Sequence, residues 1–207
     1  MKDVMIDLQT LGTGPSAAII AVGAVVFAPE TGELGETFYH VVDLASSMGE
    51  GGVAGAATIL WWLGQSDEAR KALTDADTLP IEDVLLDFDD YIQAFAGGTD
   101  KARIWGNGAS FDNVILSTAY ARLHMPQPWK FWNDRCYRTV KAMFPHVKME
   151  RAGTHHNALD DAISQAKHLC AMLNPPTDEC DTEIMALPLS NEHPFGCPCA
   201  LCQERLR

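Results

Sequence analysis

Asp7 and Gln9 follow the apolar run Val4-Met5-Ile6 and precede the turn Leu11-Gly12-Thr13-Gly14-Pro15. Side chains alternate along a strand, so residues 7 and 9 project from one face. An acid at the end of a buried strand is costly unless a metal, a proton or a cation compensates it. Two more acids stand out by position. Asp112 falls in the first turn of a predicted helix, directly after a strand and the turn Gly106-Asn107-Gly108. Asp161 falls early in the last predicted helix, five residues after His156. Strand-to-helix junctions gather at one edge of an α/β sheet, where sites form. Three acids and a histidine there suit two divalent cations and a general base. Such ions sit about 3.5–4 Å apart and drive in-line attack on a phosphodiester. A neutral histidine can take the proton of the attacking water.

The elements that must position these residues are a first strand over 2–7, a long second strand over 17–27 and a third over 37–44, in an antiparallel meander. Residues 46–57 are small, glycine-rich and aperiodic, which predicts a mobile loop. A helical stretch opens at Thr58, and a short helix follows over 67–73. Behind Pro80, the residues Ile81, Val84, Leu85, Phe88, Ile92 and Phe95 recur at helical spacing until Gly97-Gly98. A fourth strand over 102–105 leads to a helix over 111–123, with Ser110 as its cap. A fifth strand over 131–133, a helix over 137–144 and a last helix over 157–173 complete the pattern. This order implies an α/β fold, a mixed five-stranded sheet flanked by helices, with the later strands parallel to the first. Residues 1–174 are expected to form the domain and 175–207 an irregular, cysteine-containing tail.

The chain has 207 residues, 47% hydrophobic and 21% charged, which describes an ordinary soluble domain. It has no apolar run of the roughly 20 residues a membrane span needs and no signal-peptide pattern. The expectation is a cytosolic protein, in a bacterium or a phage-infected host, with no membrane partner. The net charge of −13 argues against coating long nucleic acid. It is compatible with gripping a few terminal nucleotides through cations recruited by clustered carboxylates. Lys130, Arg135, Arg138, Lys141 and Lys148 lie in the only basic stretch, which either guides a phosphate backbone or is a solvated surface. In the tail, His193, Cys197, Cys199 and Cys202 resemble zinc ligands. Cys199 and Cys202 have the right spacing, whereas Cys197 and Cys199 are close. A structural Zn²⁺ and a reduced tail are the alternatives.

Four stretches together resemble a known family: MIDLQTLGTGP, WGNGASFDNVIL, HNALDDA and ILWWLGQSDEAR. They are similar to the 3′–5′ exonucleases with Asp-Glu-Asp-Asp metal ligands and a catalytic histidine, the DEDDh group of the ribonuclease H-like fold. Within that group they resemble the branch of phage exonuclease A and the actinobacterial adenosine-preferring exoribonuclease. The resemblance covers residues 1–174. It implies two Mg²⁺ or Mn²⁺ ions held by Asp7, Gln9, Asp112 and Asp161, His156 as general base, single-stranded DNA or RNA 3′ ends as substrate, and a homodimer. Asp160 is a rival for Asp161, and His155 for His156; the family spacing favours Asp161 and His156. Gln9 stands where the family has glutamate. An amide oxygen can approach a metal but carries no charge, so metal binding and activity should fall. Either the glutamate was exchanged to stop turnover, which the intact remaining motifs favour, or the change is natural and the protein is a slow enzyme. A silenced 3′-end binding module is the alternative function.

The resemblance also implies substrate contacts from Leu11, Gly12 and Thr13, which could equally form a plain turn. Trp62 and Gln65 share a helical face and could stack on a base and read its edge. Trp61 is expected in the core. Phe111 could stack on a base or plug the core, and the resemblance tips it toward substrate.

Overall fold

Alternation puts Val4, Ile6 and Leu8 on one face of the first strand and Met5, Asp7 and Gln9 on the other. In the computed structural model, which describes residues 1–75 and 77–175, this segment is β1 (Asp3–Thr10). Two antiparallel strands follow, β2 (Ile19–Phe27) and β3 (Leu34–Val41). The short strands β4 (Arg103–Gly106) and β5 (Asp134–Cys136) join in parallel on the other side. The sheet order is β3-β2-β1-β4-β5, with β1 at the centre. This is the mixed five-stranded sheet expected from the sequence.

Seven α-helices flank it among the described residues. They are α1 (Leu44–Gly49), α2 (Ala56–Leu63), α3 (Lys71–Thr74), α4 (Ile81–Phe95), α5 (Asp112–Arg122), α6 (Tyr137–Met143) and α7 (Ala158–Leu173). Val4, Ile6 and Leu8 pack with Phe88 and Ile92 of α4 and Leu116 of α5. Met5 on the opposite face packs with Val25, Phe27, and Ala162, Ala166 and Leu169 of α7. A smaller cluster of Leu11, Ala18, Ile20 and Trp62 ties α2 to the end of β1. No described helix is long and apolar enough to cross a membrane.

The structure corrects several element boundaries. β1 runs on to Thr10, so Asp7 stands inside a strand, opposite Gly23 of β2. On the other side, β4 pairs only with Asp3 to Met5. Asp7 therefore lies beyond the reach of its parallel neighbour, which keeps it at the carboxyl edge despite the longer strand. The expected loop over 46–57 contains most of α1. That helix depends on caps rather than apolar periodicity: Asp43 accepts from Ala45 N at 3.0 Å, and Ser46 Oγ donates to Asp43 O at 2.7 Å. Ser110 does not cap α5; the N-cap position is Phe111, without a side-chain cap bond. The aromatic run Phe131 to Asn133 is a 3-10 turn, and β5 starts at Asp134. The helix expected over 67–73 is reduced to α3. The proposed zinc ligands His193, Cys197, Cys199 and Cys202 lie outside the described residues.

A glycine inside a strand often marks close backbone approach. At Gly23, opposite Asp7, a Cβ would overlap the backbone of Ala158 and Leu159. The bare strand lets the first turn of α7 rest directly on β2, which brings Asp161 toward Asp7. A Gly23→Ala variant must displace α7 or bend β2, because backbone cannot rotate away as a side chain can. The expected cost is about 3 kcal/mol, a fall in melting temperature of roughly 6–12 °C. Calorimetry checks this, and an unchanged transition would show that α7 does not depend on the contact.

Candidate active site

Because β4 stops at Gly106, the backbone N–H of Leu8 has no ladder partner on that side. Asp112 supplies one: its Oδ1 accepts from Leu8 N at 3.1 Å. Gly106 permits this approach, since a Cβ there would press on Asn113 Oδ1 and Asp112 Cβ. Asn113 Nδ2 donates to Ile104 O at 3.0 Å and Asp134 Oδ1 at 2.7 Å, fastening the start of α5 to β4 and β5. The second oxygen of Asp112, Oδ2, is buried without a hydrogen-bond partner among the described residues. Burial pushes this carboxyl up to about 7, against the opposing pull of the Leu8 N–H.

Asp7 is held by two amides. Its Oδ2 accepts from Gln9 Nε2 at 3.1 Å and its Oδ1 from Gln165 Nε2 at 2.8 Å. Loss of water, and then the charges of Asp112 and Asp161, raise its carboxyl well above the ordinary range; the Gln165 and Gln9 bonds oppose the rise. Gln165 Oε1 is itself buried without a partner among the described residues. Sequence reasoning passed over Gln165. The signal was present, because it lies four residues after Asp161 on the same helical face.

Asp161 is positioned by the start of α7. Asn157 caps that helix, its Oδ1 accepting from Leu159 N and Asp160 N, each at 3.1 Å. His156 just before it takes a left-handed backbone, φ 66°. Its N–H donates to Asp161 Oδ2 at 3.0 Å, while Arg151 Nη1 donates to Asp161 Oδ1 at 2.9 Å. The rival Asp160 is used differently, accepting from Thr154 N at 2.6 Å to close the preceding loop. The His155 and His156 rings stack at 3.7 Å, and the edge of Trp61 meets His156 at 5.0 Å. Burial, then the neighbouring His155, holds the His156 imidazole below its ordinary value; Asp161 opposes and Arg151 adds to the fall. His155, His156 and Asp161 bring ligand atoms within 4.8 Å of one another.

These groups open onto a cavity of about 590 Å³. Asp7, Gln9, Asp161, His155 and His156 line it, together with Gly12, Thr13, Phe111, Trp61 and Trp62. Asp112 is not in the lining, yet is close enough for its charge to act on Asp7. Leu11 is buried in the cluster around Trp62 instead. Gln65 is also outside, its Nε2 donating to Trp61 O at 3.1 Å. The two tryptophans reverse their expected places. Trp62 is only 2% exposed, and its Nε1 donates to Thr10 O at 2.9 Å, which leaves no free ring face for a base. Trp61 is 45% exposed and stands at the cavity wall. The bond to Thr10 sets the phase of α2, and Trp61, about 100° away around the helix, is left at the open side.

Comparison with known proteins identifies the family. The 3′–5′ exoribonuclease Rv2179c-like domain family matches residues 2–173. An exodeoxyribonuclease of Enterobacteria phage T4 is 35% identical over 196 residues, covering 83% of this chain and 85% of that protein. Among solved structures, the nuclease domain of 3′hExo, a DEDDh family member bound to rAMP, aligns with a TM-score of 0.56 at 19% identity, covering 84% of this chain and 92% of that one. Pop2p of S. pombe in its Mg²⁺- and Mn²⁺-bound form aligns with a TM-score of 0.55 at 12% identity, covering 84% and 83%. Both structures share the fold of this chain. The chain belongs to the Rv2179c-like 3′–5′ exoribonuclease domain family and is a 3′–5′ exonuclease on a ribonuclease H-like fold.

Proposed function

We propose that this exonuclease cleaves the terminal phosphodiester at single-stranded 3′ ends and releases nucleoside monophosphates, using two divalent cations, Mg²⁺ or Mn²⁺. The observation that carries the metal requirement is the buried Oδ2 of Asp112, without a hydrogen-bond partner among the described residues and close enough to Asp7 for the two charges to repel. Oxygen donors crowded in this way fit hard divalent cations. Asp7, Asp112 and Asp161 would hold them, with the Gln9 amide oxygen in place of a fourth carboxylate. Cations held there would supply the missing positive charge and lower the pKa of a bound water. His156, neutral near pH 7 and at the cavity wall, is placed to accept a proton.

The remaining lining suits a terminal nucleotide. Gly12 and Thr13 offer backbone and a hydroxyl beside Asp7, and Phe111 and Trp61 offer ring faces for a base. Trp61 takes the stacking role first assigned to Trp62. Gln9 reduces turnover in this reading: it brings no charge, and its Nε2 occupies an Asp7 lone pair. The test is a time course on 5′-labelled single-stranded DNA and RNA with Mn²⁺, and with EDTA. Stepwise shortening from the 3′ end that EDTA abolishes is expected. Binding without release would instead support the silenced 3′-end module, and shortening in EDTA would overturn the metal requirement.

A further inference from the structure

Six of the fifteen Lys and Arg residues fall between Lys130 and Arg151, in a chain of net charge −13. The fold sorts them. Lys130 pairs with Asp100 at 3.4 Å, Arg135 Nη1 donates to the carbonyls of Trp132 and Asp134, and Arg151 pairs with Asp161. Arg138 donates to Asn107 O at 2.7 Å and Lys148 to Pro145 O at 3.4 Å, but these two and Lys141 are in none of the carboxylate pairs of the described residues, so their charges are not neutralised by a paired acid. They line a second cavity, of about 740 Å³. It shares Asn107, Arg138, Lys141 and Met149 with the carboxylate-bearing cavity, so the two adjoin along these residues as halves of a trough.

The two halves differ in chemistry. Asp7 and Asp161 line the first, whereas no acid lines the second, whose walls are three cations with apolar surface between them. The far wall is firmly built. His168, buried on α7, donates from Nε2 to Val147 O at 3.0 Å and accepts the Tyr137 hydroxyl at Nδ1 at 2.7 Å. These bonds fix the segment that carries Lys148. A cavity of this size takes one small-ligand unit, and its cations need an anion that brings no metal of its own.

We propose that the second cavity is a subsite for the phosphodiester backbone upstream of the terminal nucleotide. Arg138 and Lys141 hold the backbone at the junction, and Lys148 contacts the next phosphate out. This assignment rests on the exonuclease reading above, and it makes affinity depend on strand length. The chemistry is common to DNA and RNA, so both are tested.

The test compares Lys148→Glu with Lys130→Glu, an equal charge change outside the trough. Each variant and the parent act on a dinucleotide and on ten-residue DNA and RNA strands over a range of salt. Lys148→Glu should raise KM for the ten-residue strands about tenfold and leave the dinucleotide unaffected. It should also flatten the salt dependence by about 0.7 in slope, the increment for one phosphate of a single strand. Lys130→Glu should match the parent. Equal loss on both lengths, no loss, or the same loss with Lys130→Glu would overturn the subsite. If the parent cleaves nothing, the exonuclease reading fails by itself. Fluorescence anisotropy of the same strands with Ca²⁺ then decides the subsite: tenfold weaker binding by Lys148→Glu supports it, and unchanged binding overturns it.

Discussion

An Asp112→Asn enzyme is expected to melt higher than the parent in metal-free buffer at pH 8 and to degrade single strands about a thousandfold more slowly. The two effects share one cause. In the folded protein burial raises the Asp112 carboxyl to about 7, against roughly 3.9 in an unfolded chain. Between those values the folded state binds the extra proton, so stability falls as pH rises. The contribution is fully present below about pH 4 and is lost as pH rises through about 7. Asparagine removes this penalty and keeps the bond in which Oδ1 accepts from Leu8 N. Its Nδ2 replaces an oxygen that makes no hydrogen bond among the described residues. The expected gain at pH 8 in EDTA is roughly 5 °C, shrinking at pH 5 where the parent carboxyl is already protonated. The lost activity, about 4 kcal/mol in barrier terms, comes from removing an anionic ligand. Scanning calorimetry at the two pH values and initial rates with Mn²⁺ check the pair. A lower melting temperature at pH 8 would mark the carboxylate as structural and sink the assignment.

A carboxylate cluster that destabilises its own fold marks a functional site, because local rules are broken there for a reason other than stability. That conflict was legible in the sequence. Asp7 after an apolar run is an acid where burial is costly, and Asp112 and Asp161 stand out by their strand-to-helix junctions. The glycines that let them converge were less legible. Gly23 and Gly106 look like ordinary small residues until the backbone of α7, or Asp112 and Asn113, is seen against them.

The misreadings share a physical origin. α1 depends on Asp43 and Ser46 hydrogen bonds, and its Met48 is exposed, so no apolar stripe announces it. Phe131 and Trp132 have strand-like composition but are exposed in a 3-10 turn, which shows that aromatic content alone does not make a strand. Trp61 and Trp62 could not be ordered from spacing, because α2 is short and apolar over much of its length. Its rotation is set from outside, by the Trp62 bond to Thr10 O. Gln165 went unseen because nothing in its own stretch of sequence points to its partner. Its contact with Asp7 spans 158 positions in the chain.

Restoring a carboxylate with Gln9→Glu should produce a faster enzyme and a less stable apoprotein. Gln9 and Asp7 share one face of β1, and Gln9 lines the cavity. Its Nε2 now donates to Asp7 Oδ2, one of two amide bonds that oppose the rise of the Asp7 carboxyl. Glutamate removes that donor and adds a fourth negative charge beside Asp7, Asp112 and Asp161. Without cations, the folded state then holds more unscreened charge than the parent, and its melting temperature at pH 8 falls. With cations the same charge is an additional ligand. The Mn²⁺ concentration for half-maximal activity should drop about 10–100-fold, the range found when a group supporting a metal site is changed. At limiting Mn²⁺ the rate should rise on the order of 100-fold. The thermal shift on adding Mn²⁺ should exceed that of the parent, a readout independent of turnover. A variant with the parent's metal dependence and thermal shift would show that residue 9 does not face the cations. The low charge at this position would then have no bearing on activity.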